Sequence, residues 1–152
     1  QNEITSTFHS PTSQIIGNTI AEQLNLTSEI FETISELIEL EFPFIKMAKD
    51  PLELSFGQQR LLCFLTSVLS NKSIILIDEP EYGMDSNNLE YFKSFIYFNS
   101  LHKLKTIIFT THELQLAAKY SDRSILIKNG GNIATNSLNE VDSIEKWYFQ
   151  NA

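Results

Sequence analysis

Two adjacent carboxylates, Asp78 and Glu79, follow four apolar residues in the stretch SIILIDEPEYGMD. A carboxylate directly after a buried strand can hold Mg²⁺ through water, because Mg²⁺ prefers oxygen ligands and keeps much of its hydration. The next carboxylate points elsewhere and can polarise an attacking water. An isolated pair of this kind is more often a surface feature than a site. Pro80 and the glycine-containing turn after it indicate a defined loop, which favours the functional interpretation.

A second candidate site begins the segment LSFGQQRLLCFL, where Ser55 and Gln58 have the S-x-x-Q spacing of a capping box. A capping box alone usually has only a structural role. Gly57 falls in the first turn of the predicted helix, where glycine costs up to about 1 kcal/mol relative to alanine, so its presence indicates that an uncovered backbone is needed. A helix N-terminus with free N–H groups and a serine hydroxyl is a ready site for an anion.

A third candidate, His112, directly follows a predicted strand in the stretch IIFTTHEL. A histidine at the end of a strand is often only a helix cap or a surface residue. In open α/β sheets, however, ligands bind at the carboxyl ends of the strands. His112 is therefore expected at the same edge as Asp78 and Glu79, where its N–H could contact a terminal phosphate.

The loop that usually accompanies such an acidic strand end, G-x-x-x-x-G-K-[ST], does not occur in the 152 residues. None of the five glycines lies in that pattern. The sequence therefore combines an acidic strand end with no phosphate-binding loop of its own.

The elements that must position these residues are predicted from hydrophobic patterns. Residues 73–77, 106–111 and 124–128 are rich in β-branched side chains and predict strands. The first two are apolar on both faces, which is typical of a parallel sheet covered on each side. The segment NNLEYFKSFIYFNSL between them predicts a crossover helix, completing a right-handed βαβ unit. Its predicted apolar face consists of Leu89, Phe92, Phe95, Ile96 and Phe98. After residue 128, NGG predicts a tight turn and NIATN a short edge strand.

The earlier half of the chain predicts a helical insertion. TSEIFETISELIEL has the period of an amphipathic helix, with Thr27 or Ser28 as N-cap and Pro43 beyond its end. Its predicted apolar stripe is Ile30, Phe31, Ile34, Leu37 and Ile38. FPFIKMAKDP predicts an irregular link, and the helix after Ser55 places Leu61, Leu62, Leu65, Val68 and Leu69 on one face. We expect three regions: residues 1–19, a helical subdomain at 20–54, and an α/β core with its leading helix at 55–152.

The composition bounds the possible partners. The formal net charge of −8 disfavours a nucleic-acid partner, which usually demands a basic face. No apolar run approaches the roughly 20 residues that span a bilayer, and the N-terminus lacks the pattern of a secretory signal. Cys63, the single cysteine, lies in an apolar helical pattern and is interpreted as a small core residue.

Taken in order, these motifs resemble the ATP-binding-cassette (ABC) ATPases over essentially the whole chain. LSFGQ resembles the signature motif of that family, IILIDEP its Walker B strand, EYGMD its D-loop and TTHE its switch-histidine loop. NEITSTF resembles the strand before the glutamine loop, and YSDRSILIKNGGNIA the closing segment. FHSPTSQIIGNTIAEQL is similar to the loop and helix that contact a membrane subunit, in the form closest to energy-coupling-factor and cobalt/nickel importers.

The resemblance implies an α/β fold: a partial P-loop-NTPase-like parallel sheet flanked by helices, with a helical signature subdomain. It implies the C-terminal portion of an ATPase subunit, without its Walker A portion, that energises an importer with ATP held between two cassettes. The implied catalytic residues are Glu79 and His112, the nucleotide-binding residues Ser55, Gly57, Gln58 and Asp85, and the Mg²⁺ ligands Asp78 and His9. The implied partners are a second ATPase subunit and a transmembrane subunit, at the cytoplasmic face of the cell membrane, with no nucleic acid.

Two positions depart from the family pattern. His9 stands in place of the glutamine of the glutamine loop, and Phe56 in place of the first glycine of the signature. The isolated chain is expected to be inactive, because it lacks the lysine-bearing loop. Two alternatives remain open: a non-catalytic module that contributes only its signature face, and a soluble ABC ATPase of the DNA-repair or translation type.

Overall fold

The chain forms two compact units, residues 1–110 and 111–152, in the computed structural model. The structure describes residues 3–26, 28–102, 104–128 and 131–136, and the side chains of 28–34, 100, 101, 126, 128 and 131–136 are outside the description. The predicted boundaries at residues 19 and 54 both fall within the first unit and stay predictions.

The first unit contains a three-stranded parallel sheet. Its strands are β1 (Ile4–Thr7), β2 (Ile74–Ile77) and β3 (Thr106–Phe109), in the order β1-β2-β3. The register aligns Thr7 with Ile77 and Ile77 with Phe109, so the three strands end level with one another. The predicted parallel α/β architecture is confirmed. The predicted strand at 73–77 begins one residue before β2, and the predicted strand at 106–111 ends two residues after β3.

The two faces of this sheet differ in exposure. Ile75 and Ile77 are buried on one face, whereas Ile4, Leu76 and Ile108 on the other are 52%, 36% and 56% exposed. Successive side chains of a strand point to opposite faces, so the apolar run IILI supplies both. The sequence predicts that both faces are covered, but the described residues of the first unit leave these side chains of the second face exposed.

Four helices complete the first unit: α1 (Ile20–Leu24), α2 (Ser28–Glu41), α3 (Phe56–Leu69) and α4 (Ser86–His102). Single turns of 3₁₀ helix cover Pro11–Ser13 and Pro51–Glu53. Within the described ranges of the chain, no helix combines the length and apolarity needed to cross a membrane.

Of the two residues of the predicted α2 stripe whose side chains the structure describes, one is buried and one is exposed. Ile38 is buried as predicted, but Leu37 is 57% exposed, so its predicted burial is wrong. Ser35 and Ile38, three residues apart, face the core, whereas Leu37 and Leu40 form a second pair on the exposed side. The predicted N-cap at Thr27 or Ser28 and the side chains of Ile30, Phe31 and Ile34 lie outside the described residues.

The helical region has its own apolar core, to which the irregular link contributes directly. Ile45 and Met47, in the link, are buried beside α1, whose Ile20 and Ala21 N–H groups donate to the carbonyls of Lys49 and Met47. Helix α3 closes this core from the other side. The cluster comprises Ile20, Leu24, Ile38, Ile45, Met47, Leu54, Leu62 and Leu65. Helix α3 also contacts β1, so it joins the helical core to the sheet.

The crossover helix α4 lies between β2 and β3, as predicted. Phe92 and Ile96 are buried, but Phe98 is 51% exposed, so its predicted burial is wrong. The buried residue of the next turn is instead Asn99, because positions 92, 96 and 99 recur at helical spacing. Asn99 is satisfied there by the backbone of Lys105, which donates to its Oδ1 at 2.9 Å and accepts from its Nδ2 at 2.8 Å.

The second unit contains α5 (Leu114–Tyr120) and a two-stranded sheet. Its strands β4 (Ser124–Lys128) and β5 (Gly131–Asn136) pair antiparallel, with a register shift between Leu126 and Ile127. The predicted edge strand is confirmed. The predicted turn falls on residues 129 and 130, outside the described residues.

Candidate functional site

The candidate site lies at the carboxyl edge of the parallel sheet. Because the three strands end level, the residues that follow them meet there: His9 after β1, Asp78 and Glu79 after β2, and Thr110 after β3. Hydrogen bonds from the Asp78 N–H to the Thr7 carbonyl and from the Thr110 N–H to the Ile77 carbonyl extend the ladders one residue further. The edge therefore brings together side chains that are far apart in the sequence.

Glu79 has an unusual backbone conformation, with φ at +43°. A residue other than glycine in the left-handed region costs of the order of 1 kcal/mol and persists only where the surroundings hold it. Here the Glu79 N–H donates to Thr110 Oγ1 at 3.0 Å, and the Glu79 carbonyl accepts from Arg60 at 2.8 Å. Both backbone groups of the strained residue are thus fixed by other elements.

Arg60, on α3, is the centre of this support and is only 4% exposed. Its guanidinium donates to the carbonyls of Asp78 at 2.9 Å, Glu79 at 2.8 Å and His9 at 3.4 Å. Burial lowers the pKa of Arg60, and the nearby carboxylates, Asp78 first among them, oppose that shift. A buried cation is tolerated when its donors are satisfied, and here they fix the loop after β2.

Asp78 is held by two side chains while half of its own side chain remains exposed. Its Oδ1 accepts from Thr110 Oγ1 at 2.7 Å, and its Oδ2 lies 2.8 Å from His9 Nδ1. The hydrogen bond from Thr110, and then that from His9, lowers the pKa of Asp78. The carboxylate is therefore ionised at neutral pH and accessible to a ligand.

His9 links the two carboxylates. Its Nδ1 faces Asp78, and its Nε2 lies 3.1 Å from Glu79 Oε2. The ring also packs against Tyr82, with 4.6 Å between ring centroids. Two of the predicted site residues, Asp78 and Glu79, are thus connected through a third.

The start of α3 has the predicted capping box. Ser55 Oγ accepts from the Gln58 N–H at 3.4 Å, and Gln58 Oε1 accepts from the Ser55 N–H at 3.0 Å. Ser55 and Phe56 are both exposed. The capping box is confirmed, whereas the binding of a nucleotide phosphate at this helix start stays a prediction.

Gly57 is buried, whereas the sequence predicts an uncovered backbone at this position. A methyl group on Gly57 would lie 2.8 Å from the carbonyl oxygen of Gly83 and 3.3 Å from the Cα of Met84. Gly83, at φ +68°, in turn lies under the ring of Phe56. The close approach of α3 to this loop explains why glycine is present, because any side chain would separate the two.

Asp85 precedes α4 and satisfies its first turn. Its Oδ1 accepts from the Asn88 N–H at 2.8 Å and its Oδ2 from Asn88 Nδ2 at 3.0 Å, as expected of a helix cap. A role of Asp85 in nucleotide binding stays a prediction.

His112 belongs to the second unit, where it precedes α5 and is exposed. Its predicted place beside Asp78 and Glu79 stays a prediction. Cys63 is buried, its thiol lies 3.7 Å from the Pro11 carbonyl, and burial raises its pKa to about 11, in agreement with a core role.

The sequence interpretation missed three residues that support the acidic edge: Arg60, Thr110 and Tyr82. Arg60 offered a signal, because it is a charged residue between Gln59 and Leu61 on the buried side of α3. Thr110 offered another, since it directly follows the apolar run of β3. Tyr82 offered none, because exposed aromatic residues in loops are common.

The protein family described as "AAA domain, putative AbiEii toxin, Type IV TA system" matches residues 16–118. These residues include the candidate site apart from His9. The match also covers most of the helical region.

Curated relatives and solved structures resemble the chain over nearly its full length. The energy-coupling factor transporter ATP-binding protein EcfA2 of Staphylococcus epidermidis is 26% identical over 164 residues, covering 99% of this chain and 57% of that protein. The structure of cbiO1 from Clostridium perfringens, part of the ABC transporter complex cbiONQ, has a TM-score of 0.74 at 18% identity, covering 97% of this chain and 62% of that one. A dimeric ATP-binding cassette in a post-hydrolysis state, bound to ADP and Pi, has a TM-score of 0.72 at 21% identity, covering 89% and 62%.

These similarities confirm the predicted resemblance and the fold. At 18% and 21% identity, the two solved structures show the fold alone. The chain spans a little over half the length of the curated relative to which it is similar.

Proposed function

Since this chain belongs to the AAA-domain family described above, and its relatives are ATP-binding subunits of ABC transporters, we propose that it is part of an ATP-binding and ATP-hydrolysing cassette. The cassette energises an importer, and ATP is held between two such subunits. The observation that carries the proposal is the clamped acidic edge: Asp78 and Glu79 follow β2, with Glu79 in a strained conformation that Arg60 and Thr110 maintain.

Glu79 is the proposed general base for the attacking water. Its side chain is 25% exposed, so it can reach a water while its backbone is held at both ends. In phosphoryl transfer the protein contributes mainly positioning and electrostatic stabilisation, which requires such rigidity. His112 is proposed to contact the terminal phosphate once the site is assembled.

The acidic edge suits Mg²⁺ rather than a metal held entirely by protein side chains. Among the described residues, no group of three or more histidine, cysteine, aspartate or glutamate side chains could hold a metal ion. Mg²⁺ is commonly bound through one or two carboxylates together with water and substrate phosphates, which matches the half-exposed Asp78. When bound, the ion would neutralise charge that develops on the phosphates. The predicted second ligand, His9, has both ring nitrogens close to carboxylates.

The start of α3 is proposed to complete a site in a second subunit. Ser55 and Gln58 would face the nucleotide that a partner holds in its phosphate-binding loop, and Asp85 would lie at the same interface. Gly57 would contribute by letting α3 lie close to the loop that contains Gly83. The dimeric cassette among the similar structures supports this arrangement. The exposure of Ser55 supports it too, because its hydroxyl is accessible to a ligand from another molecule.

A transmembrane subunit is the second proposed partner, with the cassette at the cytoplasmic face of the membrane. Support comes from the transporter relatives and from residues 8–24, which resemble the segment that contacts a membrane subunit. Ile16 in that segment is 89% exposed, so an apolar side chain is available there for a partner.

Nucleotide binding tests the shared site. A fluorescent ATP analogue would be titrated into the chain alone and into the chain mixed with a cassette that carries a G-x-x-x-x-G-K-[ST] loop. We expect tight binding and ATP hydrolysis only in the mixture, and at least a tenfold loss of affinity in Ser55→Arg, where a bulky cation blocks the helix start. Ser55→Thr, which retains the hydroxyl, is the matched control. Glu79-dependent hydrolysis by the chain alone would overturn the shared site.

A second candidate is an ATPase that works without a membrane subunit. The description of the matching family, which refers to a toxin system, favours it. The two candidates differ in one measurement: ATP hydrolysis by the assembled cassettes with and without a transmembrane subunit in lipid vesicles. Stimulation by that subunit supports the importer, and full activity without any response to it supports the second candidate. The module that contributes only its signature face would show no effect of Glu79→Gln in either case.

A further inference from the structure

His9 makes an unusual contact, because both nitrogens of one imidazole face carboxylates of neighbouring residues. Nδ1 lies 2.8 Å from Asp78 Oδ2, and Nε2 lies 3.1 Å from Glu79 Oε2. The two carboxylates follow the same strand but diverge after it, since Glu79 takes the left-handed conformation. The imidazole spans the gap between them.

This geometry leaves no ring nitrogen of His9 directed away from the acidic pair. A metal ion bound at either nitrogen would have to replace one of the two carboxylate contacts. Mg²⁺ also prefers oxygen to imidazole nitrogen. The contacts therefore indicate that His9 binds the two carboxylates, whereas the sequence suggests that it is a metal ligand.

The position of His9 is itself supported. Its ring packs against Tyr82 at 4.6 Å between centroids, and its backbone carbonyl accepts from Arg60 at 3.4 Å. The Arg60 guanidinium lies 5.8 Å from the centre of the same Tyr82 ring. Tyr82 also meets Phe56 edge to face at 6.2 Å, which joins the group to the start of α3.

We propose that His9 is a positioning residue that fixes the Glu79 carboxylate, and that Tyr82 buttresses its ring. The proposal rests on the proposed function, in which Glu79 is the general base. A glutamate side chain has several rotatable bonds, and a misplacement of about 1 Å in a reacting group can reduce a rate about 100-fold. The contact from His9 Nε2 holds one oxygen of the Glu79 carboxylate, while the contact from Nδ1 anchors the imidazole on Asp78.

Nitrogen-15 magnetic resonance of the histidine side chains tests the contacts in the chain without nucleotide. Loss of signals in His9→Asn assigns the His9 resonances. We expect Glu79→Gln to shift mainly Nε2, Asp78→Asn to shift mainly Nδ1, and Tyr82→Ala to shift or broaden both, whereas Tyr82→Phe preserves them. The signals of His102, which packs on Phe98 in α4, provide the internal control. His9 resonances that respond to none of these changes would overturn the proposal.

Kinetics of the assembled cassettes separate positioning from metal binding. We expect His9→Ala to lower kcat about 10- to 100-fold, with the KM for ATP and the Mg²⁺ concentration at half-maximal rate changed less than twofold. His9→Gln, whose amide can still donate to Glu79, is expected to recover part of kcat. A tenfold rise in the Mg²⁺ requirement of His9→Ala, with kcat restored at saturating Mg²⁺, would instead identify His9 as a metal ligand and overturn the proposal.

The two measurements test the proposed function and the positioning role of His9 separately. If the wild-type assembly does not hydrolyse ATP, the proposed function fails, and the resonance shifts still decide whether His9 holds Glu79. If the assembly is active and His9→Ala retains the wild-type kcat, the proposed function stands and positioning by His9 is refuted. Backbone amide spectra of each variant show whether it folds. If an alanine variant does not fold, the conservative variants Tyr82→Phe and His9→Gln still test the proposal.

Discussion

The acidic edge of the sheet and the start of α3 are both candidate parts of one site, but they are built differently. The capping box at Ser55 and Gln58 is closed by residues three positions apart, within a single turn. The conformation of Glu79 depends on Arg60, which lies in α3, and on Thr110, which directly follows β3. The helix start is encoded locally, whereas the acidic edge exists only when several elements are assembled.

This difference suggests that the two regions have different roles in the site. A capped helix start keeps its shape while it is exposed, which suits a surface that receives a ligand from a partner. A general base must be held in one orientation, and a strained residue needs several partners to hold it. The comparison predicts that variants at the acidic edge act through tertiary packing and variants at Ser55 act through one turn of helix.

Arg60→Ala should have the largest effect. It leaves the carbonyls of Asp78 and Glu79 without their buried donor and removes the support for the strained residue, so we expect a loss of about 3 kcal/mol in the free energy of unfolding. Urea denaturation measures it. Arg123→Ala, at an exposed arginine of the second unit, should change stability by no more than about 0.5 kcal/mol. Equal effects of the two variants would contradict the structural role of Arg60.

Gly57→Ala should come next, because it lies where the two regions touch. Helix propensity alone would favour alanine by up to about 1 kcal/mol. The added methyl group, 2.8 Å from the Gly83 carbonyl, should outweigh that gain and destabilise the chain by about 1–2 kcal/mol. The difference between Ser94→Gly and Ser94→Ala, at an exposed position within α4, measures the glycine-to-alanine propensity without the clash. A stabilised Gly57→Ala variant would show that the loop can move aside.

Ser55→Ala should have a smaller effect that remains local. Loss of the cap is expected to cost about 1 kcal/mol, and Ser55→Asp should retain most of the stability, because aspartate is also a good N-cap. Thermal or urea unfolding gives these values. The His9 side-chain resonances should not change in Ser55→Ala. A shift of the His9 resonances in this variant would show that the start of α3 and the acidic edge are coupled, and would contradict the distinction between them.

The pH dependence of Asp78→Asn should be the smallest effect. Because the folded-state pKa of Asp78 is depressed, its contribution to stability is present above the unfolded-state pKa of about 3.9 and is lost as the pH falls through the folded-state value. Its side chain is half exposed, so we expect wild type to exceed Asp78→Asn by less than about 1 kcal/mol at pH 7. The difference should shrink at pH 3. A difference independent of pH would show that the ionised form gains nothing on folding.

The elements and the separate candidates could be predicted from the sequence, because they rest on short-range patterns. The length and the β-branched content of apolar runs predicted the strands, and the S-x-x-Q spacing predicted the cap of α3. Burial within helices was less predictable: Leu37 and Phe98 fit an amphipathic stripe but are exposed. Apolar residues can satisfy more than one helical stripe, and only the neighbouring elements decide which stripe faces the core.

By itself, the sequence determined where β2 ends, which carboxylates follow it and how α3 begins, since each depends on residues within one turn or one strand. The tertiary structure alone decided that His9, 69 residues from Asp78 along the chain, spans the acidic pair, and that Arg60 holds the backbone of Glu79. It also decided that Gly57 is covered rather than open. The physical reason is that strand order and helix packing set these distances, and neither is contained in local spacing.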